Sequence, residues 1–309
     1  MQNTDEKTKS KLKNIVISAV CILGIVSVLI ISLGNKIGLP DWNDVFAFCG
    51  VYADLGDGIS LSFINVGSAD ACYIKCRDKN VLIDAGTSLS YDKLSAYLKR
   101  NNCDHFDAII VSHPDSDHIG SLSDVIKDFG TDVLYMYPVS EDIVPKSIEY
   151  NRLIDALDEC SVNVVNPSIP SEINIGDMDL EFISPLKSYD NTNDSSLVVR
   201  LTYKNNSFLF TGDISKKAES DLLNFGVHLD CDVLKVSHHG SKTSSSEEFL
   251  KKASPQISVV SVGTGDRFSP DYTTMAVINS FSDEVYRTDS DKTIVITSDG
   301  DSLNVKTHA

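Results

Sequence analysis

One stretch, AIIVSHPDSDHIG at positions 108–120, constrains this chain more than any other. Its apolar start predicts a buried strand, which ends abruptly in four possible metal ligands: His113, Asp115, Asp117 and His118. Alternate residues of an extended loop point the same way, so the first three can converge while His118 turns back towards them. Imidazole and carboxylate together suit Zn²⁺ or Mn²⁺. A polar turn is the simpler interpretation, but this density of ligands favours a metal loop.

Composition and charge limit the possible functions. The 309 residues are 42% hydrophobic, which is enough to build a sizeable core. A formal net charge of −17 and a pI near 4.7 oppose the capture of nucleic acid by a lysine- and arginine-rich surface. A polyanionic substrate would therefore have to be held locally, a role that bound metal can fill. The cysteines form no CxxC pair and no structural zinc spacing.

The N-terminal region reads as a membrane anchor. Residues 15–34, IVISAVCILGIVSVLIISLG, are apolar apart from three serines. About 20 such residues span a bilayer, whereas the apolar core of a cleaved signal peptide, the rival interpretation, is usually about 7 to 15 residues long. Four lysines precede the segment, which places the N-terminus in the cytoplasm and the remaining chain outside: Lys7, Lys9, Lys11 and Lys13. We therefore expect a cytoplasmic N-terminus at 1–14, an anchor at 15–34 and a stalk at 35–57.

The remaining chain, residues 58–309, reads as one domain without an internal repeat. Short apolar strands with turn residues between them alternate with three segments of helical spacing, at 91–100, 147–157 and 216–225. Such a mixture of strands and interleaved helices predicts a layered α/β domain.

Four later stretches have the same form as the opening one, an apolar strand that ends in polar groups. The apolar strand within VLIDAG ends at Asp84, and the one within FLFTGDI ends at Asp213. The strand within DVLKVSHHGS ends at His238 and His239. A fourth, ISVVSVG, leads into a GTGDRFSPD loop. If these strands lie side by side, their ends gather on one rim with the metal loop, where open α/β sheets place their sites.

The ordered motifs NVGSAD, LIDAG, SHPDSDHIGS, NDSSLVVRL, FLFTGDI and KVSHHGS resemble the metallo-β-lactamase fold. More narrowly, they resemble the hydrolase domain of the ComEC-type competence DNA-uptake proteins and their stand-alone relatives. The resemblance runs from about residue 61 to about residue 300. It implies a four-layer αββα sandwich, preceded in this chain by the expected transmembrane helix.

Carried onto this sequence, the resemblance implies two divalent metal ions, Zn²⁺ or Mn²⁺. His113 and Asp115 would bind one of them. Asp117, His118 and one histidine of the SHHGS loop would bind the second, and a further carboxylate, that of Asp213, would be able to bridge the two ions.

The same resemblance assigns roles around the ligands. His239 is preferred to His238 as the ligand because the family's ligand histidine commonly stands directly before glycine, and His238 becomes a supporting or proton-donating residue. Asp117 is the carboxylate placed to orient the attacking water, which metal converts to hydroxide near neutral pH. Asp84 supports the loop through hydrogen bonds.

Two departures from the zinc β-lactamases are informative. Asp115 stands where those enzymes have histidine, and a harder oxygen ligand shifts the expectation towards Mn²⁺. Another histidine slot is occupied by NDSS, so Asn193 or Ser196 would have to support the first metal. ComEC-type domains share both changes, which argues against β-lactam hydrolysis.

These features predict a membrane-anchored, extracytoplasmic, metal-dependent phosphodiesterase, most concretely a nuclease acting on DNA. Two alternatives stay open. The acidic surface also suits a smaller phosphodiester or an envelope ester. A non-catalytic scaffold in a DNA-uptake or envelope complex is motivated by Ser68 and Ala69, where relatives usually have Gln-Gly, and by the GTGDRFSPD loop, which lacks a histidine that relatives often have.

Overall fold

The structure is a computed structural model that describes residue 18 and residues 21–28, 58–265 and 270–308. Residues 21–28 are helical. Within these described ranges, no helix is both long enough and apolar enough to cross a bilayer. Most of the predicted anchor at 15–34 lies outside the described residues, as do the predicted N-terminus at 1–14 and stalk at 35–57. The membrane topology therefore stays a prediction.

The strands of the described chain form two sheets. The first has the order β15-β14-β1-β2-β3-β4-β5-β6. Its strands are β1 Ile59–Phe63, β2 Cys72–Cys76, β3 Lys79–Ile83, β4 Ala108–Val111, β5 Leu134–Met136, β6 Val164–Val165, β14 Thr293–Ser298 and β15 Leu303–His308. The second has the order β13-β12-β11-β10-β9-β8-β7. Its strands are β7 Ser171–Ile175, β8 Met178–Ser184, β9 Val198–Tyr203, β10 Asn206–Phe210, β11 Val233–Lys235, β12 Ile257–Val260 and β13 Glu284–Arg287.

Helices connect these strands: α1 Tyr91–Arg100, α2 Ser116–Ile119, α3 Leu122–Phe129, α4 Ile148–Glu159, α5 Lys216–Phe225, α6 Glu247–Ala253, α7 Tyr272–Phe281 and α8 Thr288–Asp291. The three helices predicted from apolar spacing are confirmed as α1, α4 and α5. Ser147, expected inside α4, is instead its N-cap, and its hydroxyl oxygen accepts the backbone N–H of Tyr150 at 3.1 Å.

Alternation along the strands produces the layers. On β4, Ala108 and Ile110 face the apolar core between the two sheets, whereas Ile109 and Val111 face a second core that α1, α3 and α4 cover. On β10 of the second sheet, Leu209 faces a third core, covered by α5, α6 and α7. Because each sheet is apolar on both faces, the domain is a helix–sheet–sheet–helix sandwich, as predicted.

The parallel strands bring the motifs together. In the first sheet β3, β4 and β5 are parallel, and in the second sheet β10, β11 and β12 are parallel. The two sheets also meet beyond β4, where the N–H of Leu197 donates to the carbonyl of Ser112 at 2.8 Å. The polar residues that follow these strands therefore lie at one rim of the sandwich, as the strand-end pattern predicts.

Candidate metal centre

The metal loop after β4 is more helical than the sequence pattern suggests. Asp115 is the N-cap of α2, and its carbonyl accepts the N–H of His118 at 3.0 Å, so Asp117 and His118 lie on a helical turn instead of an extended loop. Gly120 allows the turn to approach its neighbour, since a Cβ there would lie 2.3 Å from the backbone nitrogen of Ser88. The expected convergence of alternate loop residues is thus replaced by a tight turn.

Four side chains from both sheets converge in what we call the tight ligand group. Its members, whose ligand atoms all lie within 4.8 Å of one another, are Asp117, His118, Asp213 and His239. Asp213 Oδ2 lies 3.5 Å from His118 Nε2 and 3.6 Å from His239 Nε2. Asp117 Oδ2 lies 3.3 Å from the same His239 nitrogen. A carboxylate thus stands between two imidazoles, in the position from which it could bridge.

Unpaired ligand atoms show that divalent metal fits this group. Nε2 of His113, His118 and His239 and Oδ1 of Asp213 are buried and have no hydrogen-bond partner. Polar atoms in protein interiors are nearly always hydrogen-bonded, because leaving them unpaired costs free energy. Imidazole nitrogens and carboxylate oxygens are the donors that Zn²⁺ and Mn²⁺ take. The donor set and its unpaired atoms therefore match the metal chemistry expected from the sequence.

His113 and Asp115, which we call the open ligand pair, lie beside the tight ligand group. The imidazole ring of His113 is 4.0 Å from that of His118, measured between centroids. His113 Nε2 lies 3.7 Å from Asp115 Oδ2, and the Asp115 side chain is 37% exposed. Burial raises the pKa of Asp115, and a hydrogen bond from Thr192 acts against that rise. The predicted ligands of the first metal are adjacent to those of the second but less enclosed.

Asp84 supports the metal loop through hydrogen bonds, as predicted. Its carboxylate accepts the N–H and the hydroxyl of Ser112 at 2.8 and 2.6 Å, and its Oδ2 lies 2.9 Å from His118 Nδ1. A proton on Nδ1 is then donated to Asp84, which leaves the lone pair of Nε2 directed at the tight ligand group. Asp84 therefore fixes both the ring and its tautomer.

The SHHGS turn presents its two histidines differently. His238 and His239 both have left-handed backbone angles, with φ of 49° and 52°, which is uncommon for non-glycine residues and costs strain. The strained turn aims His239 inward, where Nδ1 lies 2.8 Å from the carbonyl of Ser261 and Nε2 faces Asp213. His238 stays at the mouth with 31% of its side chain exposed. His239 is therefore the histidine of this turn that lies in the tight ligand group, and its role as a ligand stays a prediction.

Ser196 and Asn193 lie behind Asp213. The Ser196 hydroxyl donates to the Asn193 carbonyl at 2.6 Å and accepts the N–H of Asp213 at 3.2 Å. Gly212 makes the approach possible, because a Cβ there would lie 2.8 Å from the Ser196 side chain. Ser196 thus supports the loop that carries Asp213, and Asn193 contributes its backbone carbonyl.

Opposite charges set the ionisation of the site. Burial opposes the charged form of Asp213, but His239 and His118 outweigh it and hold the pKa of this carboxyl well below its usual range. Burial also disfavours protonated His239, yet Asp213 and Asp70 raise its pKa to about 9. The pKa of His118 is raised well above its usual range for the same reason, against burial and chiefly by Asp213.

Two neighbouring groups, His113 and Asp117, have lowered pKa values. Burial, together with the charge on His118, lowers the pKa of His113 to about 4. For Asp117, burial raises the pKa, but the facing imidazole of His239 and the charge of His118 bring it down to about 2. Without metal, the surrounding carboxylates therefore favour the protonated forms of His118 and His239, and such protons must leave when metal binds.

Two buried residues of this site, Asp70 and Lys235, were not singled out from the sequence. Lys235 Nζ lies 2.6 Å from Asp70 Oδ2, and both side chains are more than nine-tenths buried. A signal was present, because lysine in the apolar run VLKV would be buried and a buried lysine needs a partner. The identity of that partner, in NVGSAD more than 160 residues earlier, could not be read from the sequence.

The remaining motif residues lie at the edge of the site. The Ser68 hydroxyl, in the departure from Gln-Gly, accepts the N–H of Gly263 at 3.0 Å and so ties NVGSAD to the start of the GTGDRFSPD loop. Residues 266–269 of that loop, including Arg267, lie outside the described residues, and the substrate contacts expected there stay untested.

Known proteins with similar sequences include two bacterial proteins that are longer than this chain. ComE operon protein 3 of Bacillus subtilis is 27% identical over 268 residues, which cover 79% of this chain and 34% of that protein. Competence protein ComA of Neisseria gonorrhoeae is 25% identical over 256 residues, covering 80% and 34%. The chain thus spans about a third of the length of these relatives. Both names agree with the predicted resemblance to competence proteins.

The fold and the family are shown by two further findings. The metallo-beta-lactamase fold protein YhfI of Bacillus subtilis superposes with a TM-score of 0.53 at 14% identity, covering 78% of this chain and 99% of that one. The model of the metallo-beta-lactamase superfamily matches residues 65–264, from the NVGSAD motif to the start of the GTGDRFSPD loop. The match covers more than half of the sequence, so the chain belongs to the metallo-beta-lactamase superfamily.

Proposed function

We propose that this chain is a phosphodiesterase that cleaves DNA at a binuclear centre made of the tight ligand group and the open ligand pair. The observation that carries the proposal is the convergence of buried, unpaired ligand atoms on His113, His118, His239 and Asp213. Asp115 supports phosphodiester chemistry, because ComEC-type domains share this departure from the zinc β-lactamases. The similarity to a protein named as a competence protein supports DNA as the substrate.

Asp117 is the residue that orients the attacking water. Two divalent cations, when bound, supply positive charge for the attacked phosphate and lower the pKa of the attacking water. The Asp117 side chain is 34% exposed and reaches the mouth of the site, and its pKa of about 2 keeps it ionised at neutral pH. An ionised carboxylate at this position accepts a hydrogen bond from the water and directs its lone pair at phosphorus.

His238 is the residue that protonates the leaving oxygen. It lies at the mouth, with Nε2 3.8 Å from Asp213 Oδ2 and Nδ1 3.4 Å from the hydroxyl of Thr243. In the imidazolium form, Nδ1–H can donate to the Thr243 hydroxyl, and the second proton sits on Nε2, the nitrogen that faces the reaction site. Giving the Nε2 proton to the departing alkoxide returns the ring to neutral imidazole.

DNA cleavage by the full chain in detergent tests this proposal. We expect single- or double-stranded DNA to be cut with Mn²⁺ or Zn²⁺ and EDTA to stop the reaction. His118→Ala should lower the rate by at least about 100-fold, since even residues that support metal ligands are worth 10- to 100-fold. The exposed His228 offers a matched control, because His228→Ala should cleave like the wild type. Cleavage that survives EDTA or His118→Ala would refute the proposal.

A smaller phosphodiester or an envelope ester is the second candidate substrate. The net charge of −17 favours it, since an acidic surface repels long polyanions. Parallel rates on DNA and on a chromogenic phosphodiester, measured at the same metal concentration, separate the two candidates. A purified wild-type chain that holds no metal after metal-replete expression would instead support a non-catalytic scaffold.

We further propose that residues 15–34 anchor the chain in the membrane and that residues 58–309 lie outside the cytoplasm. Cys160 is exposed and offers a reporter. A membrane-impermeant maleimide added to intact cells should label the peptide that carries Cys160, and Cys160→Ser should remove that signal. Labelling that appears only after lysis would contradict the proposed topology.

A further inference from the structure

A buried ion pair between Asp70 and Lys235 lies directly behind the tight ligand group. The ammonium is 2.6 Å from Asp70 Oδ2, and the two side chains are 7% and 6% exposed. Removing two charges from water is costly, so a buried pair is by itself weak evidence for a gain in stability. Its place beside the metal ligands suggests another use.

The pair joins the two halves of the sandwich at the site. On one side, the Asp70 N–H donates to the carbonyl of Asp117 at 3.1 Å, and the Asp70 carbonyl accepts the N–H of Gly86 at 2.7 Å. On the other side, Lys235 ends β11, and its ammonium also donates to the carbonyl of Val236 at 2.9 Å. Since β11 leads into the SHHGS turn, the pair couples the metal loop to the strand that carries His239.

Asp70 also faces both ligand histidines from behind. Its Oδ2 lies 3.9 Å from His118 Nδ1, and its Oδ1 lies 3.7 Å from His239 Nδ1. The Nε2 atoms of the same two rings point the other way, into the tight ligand group. Asp84 and the Ser261 carbonyl orient the two rings, and the Asp70 carboxylate stands behind both, where its position and charge act on the two imidazoles together.

Lys235 adjusts the charge of the centre. Among the ion pairs of the described residues, the one between Lys235 and Asp70 brings a lysine to a carboxylate of this site. The acidic groups gathered here are Asp70, Asp84, Asp115, Asp117 and Asp213. Because Lys235 neutralises Asp70, the charges of the other four carboxylates remain for two divalent cations.

We propose that Asp70 and Lys235 are positioning residues of the metal centre: their ion pair holds the Asp70 carboxylate behind His118 and His239 and neutralises its charge, so that the tight ligand group binds metal. The inference rests on the proposed function only in requiring a metal centre. Neither residue touches substrate.

Removing both charges together separates positioning from folding. Asp70→Asn or Lys235→Met alone leaves an unpaired buried charge and should lower the melting temperature of the metal-free chain. The double variant removes both charges and should recover much of that melting temperature. A cavity of about 20 Å³ borders both residues, so the replacements fit without overpacking. The control removes a second ion pair, between a buried arginine and a partly exposed glutamate, by Arg200→Met with Glu181→Gln.

Metal titration of the full chain in detergent, without substrate, gives the readout. We expect the double variant to bind Mn²⁺ at the tight ligand group about 10- to 100-fold more weakly than the wild type, the range found for residues that orient metal ligands. The Co²⁺ absorption spectrum should change, since it reports ligand geometry. Lys235→Arg, which keeps the ion pair, should preserve the spectrum, and the Arg200–Glu181 control should preserve both affinity and spectrum.

A double variant with wild-type affinity and spectrum would overturn the inference, as would a control that loses metal equally. A wild-type chain that binds metal but cleaves no phosphodiester would overturn the proposed function and leave this comparison standing. A wild-type chain that binds no metal would overturn both.

Discussion

The tight ligand group and the open ligand pair both draw on the loop after β4 but differ in how completely they are enclosed. The tight ligand group takes Asp117 and His118 from the first sheet and receives Asp213 and His239 from the second. The open ligand pair consists of His113 and a partly exposed Asp115. The loop after β4 thus contributes side chains to both sets, and the second sheet adds Asp213 and His239 to the tight ligand group.

The physical cause lies in the NDSS segment. Where the zinc β-lactamases place another histidine, this chain has Asn193 and Ser196, and the Ser196 hydroxyl is engaged with the Asn193 carbonyl and the Asp213 N–H. The segment therefore strengthens the loop that carries Asp213 and adds no imidazole to the open ligand pair. Two metal ions are accordingly expected to bind with unequal affinity.

Asp213→Asn should have the largest effect, because Asp213 lies between His118 and His239 and is placed to bridge the two positions. The amide keeps the shape but removes the negative charge that both imidazoles face. We expect metal affinity at the tight ligand group and the cleavage rate to fall by at least about 100-fold, measured by titration and by initial rates. Asp142→Asn, at an exposed position, is the control. Retention of both metal ions by Asp213→Asn would contradict the assignment of Asp213 to the tight ligand group.

Asp84→Asn tests the support of His118 and should cost about 10- to 100-fold in metal affinity. Asparagine tolerates the left-handed backbone at this position, where φ is 58°, so the loop itself should persist. The amide cannot replace a charged acceptor for the proton on His118 Nδ1, which loosens the ring. A calorimetric titration should show the loss at the tight ligand group and a smaller change at the open ligand pair. Equal losses at both would contradict the assignment.

Asp115→His adds an imidazole to the open ligand pair and so tests whether residue 115 is a metal ligand. Nitrogen ligands favour Zn²⁺ over Mn²⁺ relative to carboxylate oxygen. The ratio of Zn²⁺ to Mn²⁺ affinity at the weaker position should rise about tenfold, as competition between the two metals would measure. Asp115→Ala, which removes the oxygen without adding nitrogen, should weaken both metals. An unchanged metal preference in Asp115→His would show that Asp115 is not a ligand.

The pH dependence of the stability of the metal-free chain should be the smallest of these effects. Because Asp213 and Asp70 raise the pKa of His239 from 6.5 to about 9, the metal-free fold gains stability that is fully present below pH 6.5 and is lost as the pH rises to about 9. The loss should be at most about 3 kcal/mol. Metal binding displaces the same proton, whose release alone should raise apparent affinity about tenfold per pH unit up to about pH 9, and release of the His118 proton adds to that slope.

Melting temperatures of the metal-free chain and metal titrations, both at a series of pH values, measure this linkage. A metal-free chain that becomes more stable between pH 6.5 and pH 9 would contradict the sign. The stability of a chain saturated with metal should depend less on pH, since the imidazoles are then neutral ligands.

The local features of the site could be predicted from the sequence. His113 to His118 follow an apolar strand at close spacing, and the strand-end motifs placed Asp84, Asp213 and the SHHGS turn at the same rim. The helical turn that carries Asp117 and His118 could not be predicted from alternation. It depends on the Asp115 carbonyl and on the close approach at Gly120, which are features of the packed chain.

Long-range pairing accounts for most of what the sequence did not reveal. Asp70 meets Lys235 only after the two sheets pack face to face. Ser196 reads as a substitute for a missing histidine, but the folded chain turns its hydroxyl towards the Asp213 loop. Periodicity carries information about which face a residue occupies, and it carries none about which residue of the other sheet lies opposite.

A titration of the metal-free full chain with Mn²⁺ at pH 8, followed by calorimetry, tests the central claim most directly. We expect two equivalents of metal to bind with clearly unequal affinities, and we expect the tighter one to be lost in His239→Ala and kept in His238→Ala. A chain that binds no metal, or that loses the tighter equivalent in His238→Ala and keeps it in His239→Ala, would contradict the proposed metal centre.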